Sequence, residues 1–216
     1  IIRLYRDSTG QKPLYYYYKN NIFIFSSELK TILSYPKIDR SIDEESVFVS
    51  LSLGYIPAPN TLWKFIKKVN ISEQVIFSIK NNRISKHTFF KKNPDKNLNP
   101  DPKKFIEDIL SEHLQSNTDI KINLSGGLDS SLIYVISNSM GVKLESFSTK
   151  YLTNTSELNK DAFFASKLAE EFGGKHHEIN ISQASYLDHF IDAYECIEEP
   201  CYNQAAPSHY IMAKYQ

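Results

Sequence analysis

The sequence has little of three features that mark secreted, membrane-spanning or nucleic-acid-binding proteins. It contains only two cysteines, Cys196 and Cys201, so it gives no basis for a disulfide framework. No apolar run approaches the roughly 18 to 20 residues of a transmembrane helix, and residues 1–10 lack the order of a signal peptide. Lys plus Arg equals Asp plus Glu at 25 each, so no net charge attracts nucleic acid or an anionic membrane. We therefore expect a cytoplasmic protein that binds small molecules in a local site.

What the sequence does have is 216 residues with 41% apolar content, enough for one large domain or two small ones. The first ninety residues read as short strands joined by turns, including hairpin turns at Asn20-Asn21 and Asn81-Asn82. We interpret the tyrosine run at 15–18 as a strand with two buried faces, and a platform for stacking bases is the alternative. Ser26 or Ser27 is predicted to cap a short helix.

The composition changes at residues 91–101, where KKNPDKNLNPD is polar, contains two prolines and has almost nothing to bury. We predict a linker there, between a domain at 1–90 and a second domain at 102–216. In the second domain, predicted strands at 120–124, 144–149 and 177–181 alternate with amphipathic helices. This alternation predicts an α/β fold with a parallel, doubly wound sheet.

The first of these strands runs directly into the sequence SGGLDSS at 125–131. Gly126 and Gly127 allow the backbone to approach a ligand closely, so that successive N–H groups point inward. The helix that begins at once adds its own unpaired N–H groups and the positive end of its dipole. The pattern matches neither the Walker loop nor the dinucleotide-binding fingerprint. It predicts a binding site for the phosphates of a nucleotide at the carboxyl end of the strand.

Three polar side chains of this loop complete the predicted site. Ser125 and Ser130 supply hydroxyl donors. Asp129 has the wrong charge for a phosphate unless a cation lies between them, and Mg²⁺ is the simplest bridge.

The motif SGGLDSS at 125–131 resembles the pyrophosphate loop of the N-type ATP pyrophosphatases. Other segments narrow the resemblance to the glutamine-dependent asparagine synthetases. RDSTGQKPLYYYYKNNIFIFSSELKTIL at 6–33 resembles the second half of their glutaminase domain, and GYIPAPNTLWKFIKKV at 54–69 resembles the segment that joins their two domains. KDAFFASKLAEEFGGKHHEI at 160–179 and EEPCYNQAAPSHYIMAK at 198–214 are similar to later synthetase segments.

The resemblance implies an enzyme that uses ATP to adenylate the side chain of aspartate, with Mg²⁺, and then amidates it with ammonia or glutamine-derived ammonia. It implies the end of an N-terminal-nucleophile glutaminase sandwich, followed by the first part of an ATP-binding domain. Carried over by position, the pyrophosphate and magnesium loop consists of Ser125, Gly126, Gly127, Asp129 and Ser130. Leu124 and Thr149 match positions where the family's backbone meets adenine, and Asp161 lies at or beside a family acidic position.

The sequence also departs from the family pattern. The glutaminase cysteine and the later acidic loop of the synthetase domain are not in this chain, so we expect a segment of a longer protein. VNISE at 69–73 replaces the usual Leu-Pro-Pro-Gly, and Asn203 stands where many members have Asp. Two alternatives stay open: a related cyclase of the β-lactam or lasso-peptide type, and a non-catalytic relic of the fold. A homodimer is one possible assembly.

The triplet His176, His177 and Glu178 suggests a metal site at first sight. It lacks the four-residue helical spacing of zinc-binding histidines and matches the start of a family strand. We therefore interpret it as structural.

Overall fold

A computed structural model describes residues 1–89, 101–115, 119–153 and 156–216. The predicted linker lies outside the described residues, except for Asp101. The described residues form two compact units. The first unit comprises residues up to 89 and the segment Tyr194–Gln204, and the second comprises the remainder. None of the described helices has the length and apolar character needed to cross a membrane.

The described residues of the first unit form six strands and two complete helices, together with the last residues of a helix that begins in the second unit. The strands form two antiparallel three-stranded sheets, in the orders β1-β5-β6 and β3-β2-β4. The elements are β1 (Ile2–Tyr5), β2 (Tyr15–Lys19), β3 (Ile22–Ser26), α1 (Leu29–Leu33), α2 (Glu44–Leu53), β4 (Ile66–Lys68), β5 (Glu73–Ser78) and β6 (Arg83–Thr88).

The tyrosine run is a strand with two buried faces. Tyr15 and Tyr17 pack in one apolar cluster with Leu29, whereas Tyr16 packs in a second cluster with Val75. Successive side chains of a strand point to opposite faces, so β2 contributes to both cores of the unit. The structure therefore supports the strand interpretation over the base-stacking alternative.

The hairpin turns of this unit lie where the sequence predicts them. Asn20 and Asn21 adopt φ values of 50° and 61° between β2 and β3, and Asn82 adopts 48° between β5 and β6. These left-handed conformations suit the turns of β-hairpins. Gly54 ends α2 with a φ of 79°, and its N–H donates to the Ser50 carbonyl at 2.8 Å.

The predicted cap of α1 is wrong, because neither Ser26 nor Ser27 occupies the capping position. Glu28 is the N-cap residue, and its side chain makes no capping bond. The Glu198 carboxylate instead accepts from the main-chain N–H groups of Leu29 at 2.7 Å and Lys30 at 3.1 Å. A local sequence pattern could not show this, since the acceptor lies 169 positions from Leu29.

The next residue anchors the same segment to the unit a second time. The carboxylate of Glu199 lies 2.7 Å from the ammonium of Lys68, and both side chains are largely buried. Burial raises the pKa of Glu199, and the nearby Lys68 charge opposes that rise. The N–H of Tyr202 also donates to the Gly54 carbonyl at 3.0 Å. The segment Tyr194–Gln204 is therefore an integral part of the first unit.

The second unit alternates helices with parallel strands, as predicted. Strand β8 lies between β7 and β9, and both pairings are parallel. The elements are α3 (Pro102–His113), β7 (Lys121–Asn123), α4 (Leu128–Ser139), β8 (Glu145–Tyr151), a 3-10 turn (Ser156–Asn159), α5 (Lys160–Glu171), β9 (His176–Ile181), α6 (Gln183–Asp188), α7 (Phe190–Ile197) and α8 (Ala206–Ala213). The boundary between the two units falls within α7, whose residues from Tyr194 onward belong to the first unit.

Two apolar clusters surround this sheet. One contains Leu124 with Tyr134 of α4 and Ala165 of α5, and the other contains Phe147 with Met212 of α8. The architecture is therefore mixed α/β. The three strands lie in the sheet in the same order as in the chain. A doubly wound sheet has a point where the strand order changes direction, and these three strands do not include one.

We predict that Glu198→Ala destabilises α1 locally in the full-length protein. Loss of a capping carboxylate costs about 1 kcal/mol, because two helix N–H groups lose their acceptor. Hydrogen exchange should show the opening free energy of the Leu29 and Lys30 amides falling by about that amount. Glu195→Ala, at an exposed position of α7, is the control and should leave these amides unchanged. Equal exchange in the Glu198→Ala variant and the wild type would contradict the cap.

Candidate functional site

The SGGLDSS loop leaves the sheet at the carboxyl end of β7. Leu124 is fully buried, and its N–H donates to the Phe147 carbonyl at 2.8 Å, which extends the parallel pairing by one residue. Gly127 is the N-cap residue of α4, which begins at Leu128. The predicted strand, loop and helix therefore follow one another without a linker.

Gly126 brings the loop against the first turn of α5. Its φ is 78°, a left-handed conformation that glycine adopts without strain. A Cβ atom at this position would overlap the main-chain oxygen of Asp161 and lie 3.1 Å from the N atom of Ala165. Both the backbone conformation and the close approach thus require glycine.

The two serine hydroxyls predicted as ligand donors hold the loop itself in this structure. The Oγ atoms of Ser125 and Ser130 lie 3.0 Å apart. Ser125 Oγ also accepts from the Gly127 N–H at 3.3 Å, and Ser130 Oγ accepts from the Ser125 N–H at 3.2 Å. These bonds cross-link the two ends of the loop and fix its curvature.

Four main-chain N–H groups at the start of α4 have no acceptor among the described residues: those of Gly126, Leu128, Asp129 and Ser130. Unpaired N–H groups and the positive end of a helix dipole attract anions. Each such charge interaction is worth roughly 0.3 to 1 kcal/mol when exposed and up to about 2 kcal/mol when partly buried. The loop therefore offers several donors to one anionic group.

A cavity of about 230 Å³ lies at the carboxyl ends of β7 and β8. Three predicted site residues line it, namely Leu124, Ser125 and Thr149, whereas Gly126, Gly127, Asp129 and Ser130 do not. The other lining residues come from β7, β8, the 3-10 turn, α5 and the α8 region: Asn123, Phe147, Ser148, Tyr151, Leu158, Asp161, Ala162, Ala205, His209 and Met212.

The cavity exists because β8 is longer than its neighbour. Strand β7 ends opposite Phe147, whereas β8 continues to Tyr151. Ser148, Thr149 and Tyr151 of this overhang form one wall of the cavity. Open space at the carboxyl end of a parallel strand is where α/β sheets bind ligands.

Asp129 is exposed on the first turn of α4, and its carboxylate has neither an ion pair nor a hydrogen bond among the described residues. It is therefore free to meet a cation. The described residues contain no group of three or more His, Cys, Asp or Glu side chains that could hold a metal ion. A magnesium ion at Asp129 would thus need further oxygen ligands, which water and the phosphates of a substrate usually supply.

Sequence reasoning identified some of the residues that form the cavity and missed others. Asp161 was noted as an acidic position, and it lies at the cavity while its main-chain oxygen contacts the loop. His209 and Met212 reach the cavity from α8, far along the chain from the motif. Only tertiary packing brings them there, so no local pattern could have identified them.

The HHE triplet contacts other protein side chains. Both ring nitrogens of His176 lie within 3.1 Å of serine hydroxyls, those of Ser146 and Ser148. Burial lowers the pKa of His176. The triplet's other members are also paired, His177 with Glu145 at 2.6 Å and Glu178 with Lys150 at 2.8 Å.

Comparison with known proteins identifies the family. A model of asparagine synthase matches residues 103–216, which is more than half of the chain, and a model of a glutamine amidotransferase domain matches residues 1–90. The chain belongs to the asparagine synthase family. The resemblance noted in the sequence is therefore confirmed.

Individual relatives carry the same family name. Asparagine synthetase (glutamine-hydrolysing) 3 of Bacillus subtilis is 30% identical over 209 residues, covering 87% of this chain and 33% of the relative. Asparagine synthetase (glutamine-hydrolysing) 1 of the same organism is 29% identical over 217 residues, covering 97% of this chain and 33% of the relative. The chain thus spans about a third of the length of these asparagine synthetases.

Among solved structures, an NMN synthetase from Francisella tularensis aligns with 44% of this chain and 38% of its own, at 22% identity. The TM-score is 0.33, too low to support an argument about the fold.

We predict that Gly126→Ala destabilises this asparagine synthase family protein more than Gly141→Ala does. Both glycines have positive φ, 78° and 82°, so both variants carry a conformational cost of roughly 1 to 2 kcal/mol. Only at Gly126 would the new methyl group overlap other atoms, whereas nothing lies within 4 Å at Gly141. The overlap adds about 1 to 3 kcal/mol. Denaturant unfolding of the two variants measures the difference, and equal losses would contradict the close approach.

Proposed function

We propose that the full-length protein is an ATP-dependent amide ligase that converts aspartate to asparagine. The observation that carries this proposal is a set of four N–H groups that lack acceptors among the described residues, in a loop next to a cavity at the carboxyl ends of two parallel strands. Membership of the asparagine synthase family supports it. In the proposed reaction, an oxygen of the aspartate side chain attacks the α-phosphorus of ATP, and pyrophosphate leaves. Ammonia then attacks the activated carbonyl carbon, and AMP leaves.

The residues of the loop have separate roles in this proposal. The N–H groups of Gly126, Leu128, Asp129 and Ser130 hold the departing pyrophosphate, where negative charge accumulates. Leu124 and Thr149 form the adjoining cavity wall that receives the adenosine part of the nucleotide. When bound at Asp129, Mg²⁺ would neutralise the phosphate oxygens.

Ser125, Gly127 and Ser130 keep the loop in shape through the bonds that cross-link it. These bonds fix the donors before the nucleotide arrives. A preformed site of this kind needs little reorganisation during the reaction.

We also propose a domain assignment and a source of ammonia. Residues 1–90 form the end of a glutaminase-like sandwich, 91–101 form a linker, and 102–216 form the first part of a doubly wound ATP-binding domain. Within that last range, Tyr194–Gln204 is the segment that belongs to the first compact unit. Glutamine hydrolysis in the first domain would supply ammonia to the second, in keeping with the glutamine amidotransferase match. We place the whole protein in the cytoplasm, with a homodimer as one assembly.

We predict that Asp129→Ala lowers aspartate-dependent release of pyrophosphate by the full-length protein about 100-fold, since loss of a metal-binding carboxylate removes several kcal/mol of transition-state stabilisation. The assay contains ATP, Mg²⁺, aspartate and ammonium. Asp108→Ala, at an exposed carboxylate of α3, is the matched control and should retain full activity.

The same assay separates the rival functions. A cyclase would bind ATP but release no pyrophosphate with aspartate as the acceptor. A non-catalytic relic would not bind nucleotide. Turnover that does not depend on Asp129 would contradict the proposed site.

A further inference from the structure

Asn159 makes an unusual pair of hydrogen bonds at the end of β8. Its side-chain Oδ1 accepts from the Tyr151 N–H at 2.8 Å, and its Nδ2 donates to the Tyr151 carbonyl at 2.8 Å. A single side chain thus bonds both main-chain groups of one residue, although the Tyr151 carbonyl also accepts from the Thr153 N–H at 2.9 Å. A neighbouring parallel strand would bond the same two groups of a residue on its facing edge.

The position of these bonds explains why a side chain is needed there. On the other edge, Leu152 still bonds to Ile181 of β9 at 2.8 Å. On the β7 edge, the described part of β7 ends opposite Phe147, so Tyr151 lies beyond its reach. Asn159 therefore closes the outer end of the β8 overhang that forms the cavity wall.

Because its side chain bonds to Tyr151, Asn159 does not cap α5 with a side-chain hydrogen bond. It is the N-cap residue of α5, a position where asparagine normally accepts a hydrogen bond from the first turn of the helix. Its side chain makes no such bond here. The amide group is instead used to fix the start of α5 to the end of β8.

The two hydrogen bonds between Asn159 and Tyr151, called the clamp below, connect the two sides of the proposed nucleotide site. On the β8 side, Thr149 and Tyr151 line the cavity. On the α5 side, Asp161 lies two residues after Asn159, also lines the cavity, and presents its main-chain oxygen to Gly126. The two Asn159 bonds therefore join the cavity wall to the helix that the SGGLDSS loop contacts.

A third element joins the same network through Tyr151. The phenol oxygen of Tyr151 lies 2.8 Å from the hydroxyl of Ser208, which is 1% exposed on α8. The next residue, His209, lines the cavity. The network thus connects β8, α5 and α8 around one cavity.

We propose that Asn159 is a positioning residue that sets the geometry of the nucleotide site through its bonds to Tyr151. This inference rests on the proposed function for the identity of the ligand. It assigns Asn159 no contact with ATP, aspartate or the reacting atoms. Substitution of Asn159 should therefore weaken nucleotide binding in the second unit and leave glutamine hydrolysis unchanged.

The test compares Asn159→Ala and Asn159→Asp in the full-length protein. The Asp variant keeps the shape but replaces the donor with a second oxygen, which faces the Tyr151 carbonyl. Binding of α,β-methylene-ATP is measured by calorimetry, and the KM for ATP and the kcat are measured by release of pyrophosphate. We expect both variants to raise the Kd and the KM about tenfold, with a smaller effect on kcat, because displaced binding groups weaken binding.

Two controls separate positioning from general stability. Asn180 is an exposed asparagine of β9 whose side chain makes no hydrogen bond among the described residues, so Asn180→Ala should bind nucleotide and turn over as the wild type does. Glutamine hydrolysis by the Asn159 variants should be unchanged. An equal loss of glutamine hydrolysis would point to general unfolding and overturn the proposal.

The remaining outcomes also decide the question. Folded Asn159 variants with wild-type Kd and KM would overturn the proposal, as would the collapse of both variants while Asn180→Ala folds. If the wild type binds the analogue but releases no pyrophosphate with aspartate, the proposed function fails, and the Kd ratio still tests the clamp. If the wild type does not bind the analogue, both ideas fail.

Discussion

The close contact between Gly126 and the first turn of α5 is the constraint on which the candidate site depends. The left-handed conformation of Gly126 turns the chain out of β7, and the absence of a side chain lets the loop meet the Asp161 carbonyl. Because the loop turns so tightly, α4 starts at once, and its first N–H groups lack acceptors within the described chain. Burial of Leu124 behind the loop holds this arrangement against the core. The candidate anion site thus depends on packing as much as on the motif itself.

In both compact units, a side chain from outside a helix or strand completes the hydrogen bonding at the end of that element. In the first unit, the Glu198 carboxylate caps α1, which has no local capping side chain. In the second unit, the Asn159 side chain satisfies the end of β8 where the described neighbour strand stops short. Each side chain bonds main-chain groups that the regular structure of the element leaves without a partner, in keeping with the general pairing of main-chain groups in folded proteins. Both residues lie far from the SGGLDSS motif in sequence.

Patterns with a local physical cause were readable from the sequence. The hairpin asparagines, the helix stop at Gly54, the alternation of strand and helix, and the loop at Ser125 to Ser130 all follow from the backbone preferences of nearby residues. The cap of α1 was assigned wrongly, since its acceptor comes from Glu198. The contribution of His209 and Met212 to the cavity was missed for the same reason. The sequence contains these residues, but only the fold determines which of them meet.

The most direct test of this account is to observe the main-chain amides of the loop while nucleotide binds. In the full-length protein labelled with ¹⁵N, we expect ATP with Mg²⁺ to shift the amide resonances of Gly126, Leu128, Asp129 and Ser130 more than those of any other described segment. Amides that gain a charged acceptor move in this way because the new hydrogen bond polarises the N–H group. ATP binding that leaves these four resonances in place would contradict the central claim that they hold the phosphates.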